Sequence, residues 1–170
     1  MEWTGQVYAD TPTVAAEIRI AAPPQRVWDR ISDIHLMPTL STELQGVEWL
    51  DGATESRLGN RFVGHNRHEA LGDWDTISTI VECTAPERFA WAVGDPEYPS
   101  SIWRFTLRPD GDGTVLQQWA QIGPARSGLS LAIDAMPDRE QKIVFVRLRE
   151  FEAGMRANLA AVRDLLERER

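Results

Sequence analysis

The residues of this chain that could transfer a proton or hold a metal are few and well separated. They are three histidines, His35, His65 and His68, and one cysteine, Cys83. None belongs to a known motif for a zinc site, a phosphate-binding loop, a dinucleotide-binding loop or a serine nucleophile. A structural metal needs a closer set of ligands. We therefore expect no metal and no cofactor.

Two of the histidines lie on one predicted strand. His65 and His68 are three residues apart, so their side chains point to opposite faces of a sheet. Asn66 shares the face of His68, where His68 could transfer a proton near neutral pH and Asn66 could hold a substrate oxygen. Alternatively, either histidine lies on the surface and hydrogen-bonds to water.

Composition excludes several classes of partner. The chain is 42% hydrophobic and 26% charged, with a formal net charge of -8 and no cluster of Lys and Arg. These values are typical of a folded domain and argue against nucleic acid or an anionic membrane surface as the main partner.

The N-terminus has neither a basic region nor an apolar stretch, so we expect no signal peptide. No apolar run approaches the ~20 residues that cross a bilayer, and we expect a cytoplasmic protein without membrane insertion.

Alternating and β-branched patterns predict a series of strands joined by tight turns, which implies antiparallel pairing. Asp110 to Gly113 reads DGDG, a strong hairpin signal. The predicted strands cover residues 14–21, 47–50, 61–69, 74–83, 88–93, 102–108 and 115–122.

Helical spacing predicts two short helices after the first strand, at 24–33 and 37–44, and one long helix at about 138–167. The long helix carries an apolar stripe with steps of three or four residues that includes Phe151 and Met155. Residues 126–137 are apolar for a loop and form either a short helix at the mouth of a cavity or a core-filling connection. Residues 1–13 show no period and are expected to be an N-terminal extension to one domain at 14–170.

The order of these elements resembles the START/Bet v 1-like superfamily, also called SRPBCC, and in particular its bacterial polyketide cyclase/dehydrase branch. The resemblance rests on stretches that span most of the chain. They are IRIAAPPQRVWDRISD, GNRFVGHNRH, VECTAPERFAWAV, WRFTLRPDGDGTVLQQ and MPDREQKIVFVRLREFEAGMRANLAAVRDLL. It implies an α+β helix-grip fold, in which a curved antiparallel sheet of about seven strands wraps over the C-terminal helix and encloses an apolar cavity.

The resemblance also implies which faces point inward. It places Phe62 inward, and with it His68 and Asn66, whereas His35 lies in a segment that borders the pocket mouth in proteins of this fold. Gln118 would then be an inward polar group that needs a neighbour or a ligand as its partner. The predicted ligand-binding residues are Phe62, Trp74, Phe89, Trp91, Trp103, Phe105, Gln118, Phe151 and Met155.

Three functions remain open from the sequence. The first is binding of a hydrophobic small molecule, a lipid or a polyketide-like ring compound, which needs only an apolar cavity with a few polar anchors. The second is a polyketide cyclase or dehydratase that uses a cavity histidine. His68 is preferred because the predicted inward faces carry no carboxylate. The third is an Hsp90-activator-like interaction protein, and a homodimer is possible in each case.

Overall fold

A computed structural model describes residues 1–169. It contains one seven-stranded antiparallel sheet in the order β1-β7-β6-β5-β4-β3-β2, so the first and last strands of the chain are neighbours. The strands are β1 (Thr13–Ile20), β2 (Leu44–Trp49), β3 (Arg61–His68), β4 (Gly72–Thr84), β5 (Arg88–Asp95), β6 (Tyr98–Asp110) and β7 (Gly113–Ile122).

Four α-helices accompany the sheet within residues 1–169. Two short ones follow the first strand, α1 (Pro24–Ile31) and α2 (Met37–Leu40). The others are α3 (Gly128–Ala135) and the long α4 (Glu140–Arg168), which a 3-10 turn at Pro137–Arg139 introduces. Pro24 begins α1 because its fixed φ suits the first helical position. The backbone N–H that proline lacks would have no partner within the helix at this position. The α+β helix-grip architecture predicted from the sequence is confirmed.

The core lies between the concave face of the sheet and α4. The apolar stripe of α4 is almost fully buried, since its members are each 1% exposed: Val144, Leu148, Met155, Leu159, Val162 and Leu166. A buried Leu, Val or Met side chain contributes roughly 1.5–3 kcal/mol by leaving water. The stripe therefore explains why α4 stays on the sheet.

The second short helix and the strand after it differ most clearly from the prediction. The second short helix ends at Leu40 rather than at residue 44, because Ser41 turns to an extended conformation. The Ser41 hydroxyl oxygen then accepts hydrogen bonds from the backbone N–H groups of Glu43 and Leu44, at 3.1 and 3.0 Å. Such a side-chain bond competes with the helix, so β2 begins at Leu44. Within residues 126–137, the segment Gly128–Ala135 forms the short helix α3, one of the two alternatives left open.

The N-terminal segment lies against α4. Trp3 contacts Phe145 edge to face, with ring centroids 5.0 Å apart. The backbone N–H of Tyr8 donates to Glu140 at 3.0 Å, and its hydroxyl donates to the carbonyl of Ala125 at 2.6 Å. This segment thus connects the start of α4 to the loop before α3.

Candidate functional site

Aromatic side chains from several strands line the inner face of the sheet. Phe89 lies directly opposite Phe105, and Trp91 opposite Trp103, across the β5–β6 pair. Trp91 touches Phe89, Phe105 and Phe62 at centroid distances of 5.7, 6.1 and 6.2 Å. Phe62, Phe89, Trp91 and Phe105 are all buried. These contacts follow from the shared parity of the residues, since cross-strand neighbours on one face meet.

Trp103 and Phe151 meet at one end of this aromatic surface. Their ring centroids are 4.8 Å apart in an edge-to-face contact. Both remain half-buried, whereas Met155, one turn further along α4, is 1% exposed. The pair thus bridges β6 and α4.

Gln118 is a polar residue among these apolar ones. It lies on the inner face of β7 between Ala16 and Phe105, its partners on the neighbouring strands. The residue is 5% exposed, and its Oε1 is buried without a hydrogen-bond partner among the described residues. A buried acceptor left without a partner costs about 1–3 kcal/mol. Gln118 therefore destabilises the protein unless another molecule donates to it.

The end of the β3–β4 hairpin carries Asn66, His68 and Trp74. Asn66 pairs with Trp74 across the two strands, and its Nδ2 lies 3.3 Å from the carbonyl oxygen of Gly64 and 3.4 Å from the hydroxyl of Thr76. All three side chains are half-buried on the face of Phe62. Trp74 thus packs beside Asn66 rather than beside the central aromatic residues.

Both ring nitrogens of His68 are engaged. The backbone N–H of Ala70 donates to Nδ1 at 3.0 Å, so Nδ1 is the unprotonated nitrogen. Nε2 then carries the proton and donates to Glu150 Oε2 at 3.3 Å. In this arrangement neither nitrogen is free to accept a proton from a substrate.

A buried arginine beside His68 was missed from the sequence. Arg147 is 8% exposed and binds Glu43 through two hydrogen bonds of 3.0 and 2.7 Å, and Glu150 through one of 2.9 Å. Burial acts to lower the pKa of Arg147, but the bonds and charges of the two carboxylates outweigh it and raise the pKa. Its guanidinium also lies 4.5 Å from the ring centroid of Phe151.

These two carboxylates lie beside the predicted inward faces, Glu43 just before β2 and Glu150 on the exposed side of α4. The sequence did hold a signal for this cluster: Arg147 falls within the apolar stripe of α4, three residues after Val144 and four before Phe151. A charge at that spacing points toward the core and needs a partner. The partner Glu43 is far away in sequence, and only the fold brings the two together.

A cleft of about 270 Å³ opens beside this cluster. Its walls come from the tip of the β3–β4 hairpin, from α3 and its exit, and from the first half of α4. Arg147 is one of the lining residues, and its guanidinium lies over the Phe151 ring, which in turn contacts Trp103. The lining residues are His68, Ala70, Leu71, Leu129, Met136, Arg139, Lys142, Ile143, Val146, Arg147 and Glu150.

The other two histidines lie away from this cleft. His35 is exposed, with Nδ1 3.4 Å from Asp33, and does not line the cleft. His65 points to the outer face, where Nδ1 is 2.7 Å from Asp75 and Nε2 is 3.4 Å from Glu48. The hydrogen bond that His65 donates to Asp75, and after it the one to Glu48, raises the pKa of His65 above its ordinary value.

Within residues 1–169, no cluster of three or more His, Cys, Asp or Glu side chains is placed to bind a metal ion. None of the helices in the same part of the chain has the length and hydrophobicity of a membrane-spanning segment.

Residues 11–167 match the family of polyketide cyclases/dehydrases and lipid transport proteins. The chain belongs to this family. The match covers every strand and the cleft, and the SRPBCC, or START-like, assignment made from the sequence is confirmed. At the level of the family, the fold supports binding of a hydrophobic ligand.

Solved structures with this fold come from several bacteria. A polyketide cyclase-like protein of Corynebacterium glutamicum is 26% identical, with a TM-score of 0.66 and 92% of each chain covered. A START superfamily protein of Mycobacterium smegmatis is 16% identical, with a TM-score of 0.60 over 90% of this chain and 98% of that one. A Deinococcus radiodurans protein is 17% identical, with a TM-score of 0.61 over 90% and 95%. The latter two show the fold alone. No curated protein matches the chain significantly.

Proposed function

We propose that the protein binds a hydrophobic small molecule between the sheet and α4, and that this molecule donates a hydrogen bond to Oε1 of Gln118. The observation that carries the proposal is the enclosed, unpartnered oxygen of Gln118 beside Phe105. Ligand pockets are typically apolar, with a few polar groups that fix the orientation of the ligand. Gln118 is such a group on a surface of aromatic rings.

The cleft beside Arg147 serves as the entrance in this proposal. It lies at the open end of the core, where Phe151 and Trp103 are half-buried. Rotation of Phe151 away from Trp103 would connect the cleft to the aromatic face. Trp91, Phe62, Phe89 and Phe105 would then contact the ligand, with Met155 and Trp74 at its margins.

Catalysis by His68 stays a prediction, and the bonded state of both its nitrogens gives it no added support. A proton-transfer role would require His68 to leave Ala70 or Glu150 first. Several other expectations are likewise predictions. They are the role of Asn66 beside His68, the Hsp90-activator alternative, the homodimer, the cytoplasmic location and the absence of a nucleic-acid partner.

Native mass spectrometry and calorimetry test the proposal together. Protein purified from its own host is expected to carry a co-purified hydrophobic molecule. For the emptied protein, decanol supplies an apolar chain with one hydroxyl donor. Gln118→Met keeps the side-chain length but removes the acceptor, and is expected to weaken decanol binding about tenfold, the equivalent of about 1.4 kcal/mol.

The matched control is Leu116→Met, two residues earlier on the same face of β7 and fully buried. It changes packing without touching an acceptor, so it is expected to change decanol affinity much less. Equal effects of the two substitutions, or no binding of decanol to the native protein and no co-purified molecule, would contradict the proposal.

A further inference from the structure

The rim of the cleft carries two cations without partners. The side chains of Arg139 and Lys142 have no ion pair, hydrogen bond or aromatic ring partner within residues 1–169. Nearly all other Lys and Arg side chains in this part of the chain are partnered, and Arg108 on β6 is the other exception. Lys142 is also the single lysine of the sequence.

These two cations do not serve the stability of α4. Arg139 immediately precedes this helix and Lys142 lies in its first turn. The N-terminal end of a helix carries a partial positive charge, so cations there are unfavourable. The protein as a whole is strongly acidic, with a net charge of -8. Two unpaired cations at this place therefore need another explanation.

The surface next to them is apolar and open. Met136 and Val146 are 43% and 44% exposed, and both line the cleft with Leu71 and Ile143. The Glu150 carboxylate also lines the cleft, but it is bonded to Arg147 and faces His68. The Glu43 carboxylate is likewise bonded to Arg147. Among the residues that line the cleft, the charges without a partner are thus those of Arg139 and Lys142.

We infer that the ligand is an anionic amphiphile, whose carboxylate or phosphate group binds Arg139 and Lys142 while its apolar part enters the cleft. This inference rests on the proposed function and adds an anionic head group at the rim, so the natural ligand would also carry a hydroxyl at its inner end that donates to Gln118. Arginine pairs with carboxylate and phosphate through two parallel hydrogen bonds, and lysine adds a second positive charge. The cleft volume of about 270 Å³ lies just below the usual range for ligand pockets, which suits one chain rather than a large fused ring system.

Three probes with the same alkyl chain test this inference by calorimetry at neutral pH and low salt. They are decanoate, decyl phosphate and decanol. At least one anion is expected to bind about tenfold or more tightly than decanol, and the stronger of the two distinguishes a carboxylate from a phosphate. The double variant Arg139→Gln/Lys142→Gln is expected to abolish this preference. Arg108→Gln, which removes the unpartnered cation outside the cleft, is expected to keep it. Thermal melting checks that each variant is folded.

The outcomes separate the two proposals. Decanol binding as tight as the anions would overturn the inference about the head group and leave the proposed function intact. An anion preference that survives in the double variant would also overturn the inference, because the anionic head group would then bind at a site other than Arg139 and Lys142. Failure of all three probes to bind would overturn both.

Discussion

Arg147 on α4 holds the carboxylate of Glu43 through two hydrogen bonds of 3.0 and 2.7 Å, across 104 residues of sequence. This pair joins the long helix to the start of β2 at the edge of the cleft. A bidentate bond between guanidinium and carboxylate is among the stronger polar contacts in proteins. Because Arg147 is buried, the cost of leaving it without this partner is also high.

Glu43→Gln is therefore expected to lower the free energy of unfolding by about 1–3 kcal/mol, measured by urea denaturation. The loss stays within this range because Glu150 still neutralises Arg147. Asp73→Asn removes one partner of the exposed pair Arg67–Asp73 and serves as the control, with little effect expected. Equal losses for the two variants would mean that Arg147 is not buried in solution.

The sequence predicted most of the fold and part of the site. Period-two alternation placed Trp91, Trp103 and Phe105 on the concave side, and the apolar stripe placed α4 on the sheet. Both patterns are local, because the spacing of apolar residues along one segment is enough to predict which of its side chains are buried. The second short helix was predicted to be too long. The Ser41 side chain hydrogen-bonds the backbone that follows it, and helix propensity does not show this competition.

What could not be predicted depends on contacts between distant segments. The Arg147–Glu43 pair and the His68–Glu150 bond arise only when the β3–β4 hairpin, the start of β2 and α4 meet. The cleft is likewise built from three separate parts of the chain. Gln118 lies between these cases, because its inward direction could be predicted but its missing partner could not.

Gln118→Met is expected to stabilise the protein without ligand by about 1 kcal/mol, because it removes a buried acceptor that lacks a donor. Urea denaturation of the emptied protein measures this. Leu116→Met, in the same strand and on the same face, is expected to destabilise slightly instead, since it changes the shape of a fully buried side chain. A loss of stability in Gln118→Met would mean that Oε1 already has a partner in solution.

His65 makes stability depend on pH. Its pKa in the folded protein lies above the ordinary value of 6.5, chiefly because of the hydrogen bond with Asp75. The stabilising contribution is therefore complete below about pH 6.5 and is lost as the pH rises through the raised pKa. The difference in unfolding free energy between wild type and His65→Gln is expected to shrink over this rise. An NMR titration that places the pKa of His65 at or below 6.5 would refute this expectation.

Phe151→Ala is expected to increase the rate at which decanol binds, because the Phe151 ring fills the space between Arg147 and Trp103. Stopped-flow tryptophan fluorescence measures this rate, and Trp103 lies close enough to Phe151 to respond. Tyr98→Ala removes an exposed aromatic side chain from β6 outside the cleft and is the control. An unchanged rate in Phe151→Ala would show that the ligand enters by another route.

The central claim is that a hydrophobic molecule occupies the space between the sheet and α4 and meets Gln118. Isotope-filtered nuclear Overhauser measurements on the labelled protein with unlabelled decanol test it most directly. The account predicts contacts from the decanol chain to the ring protons of Trp91 and Phe105 and to the side-chain amide protons of Gln118. Contacts confined to the outer cleft residues Met136 and Val146, with none to Gln118 or the inner aromatic rings, would contradict it.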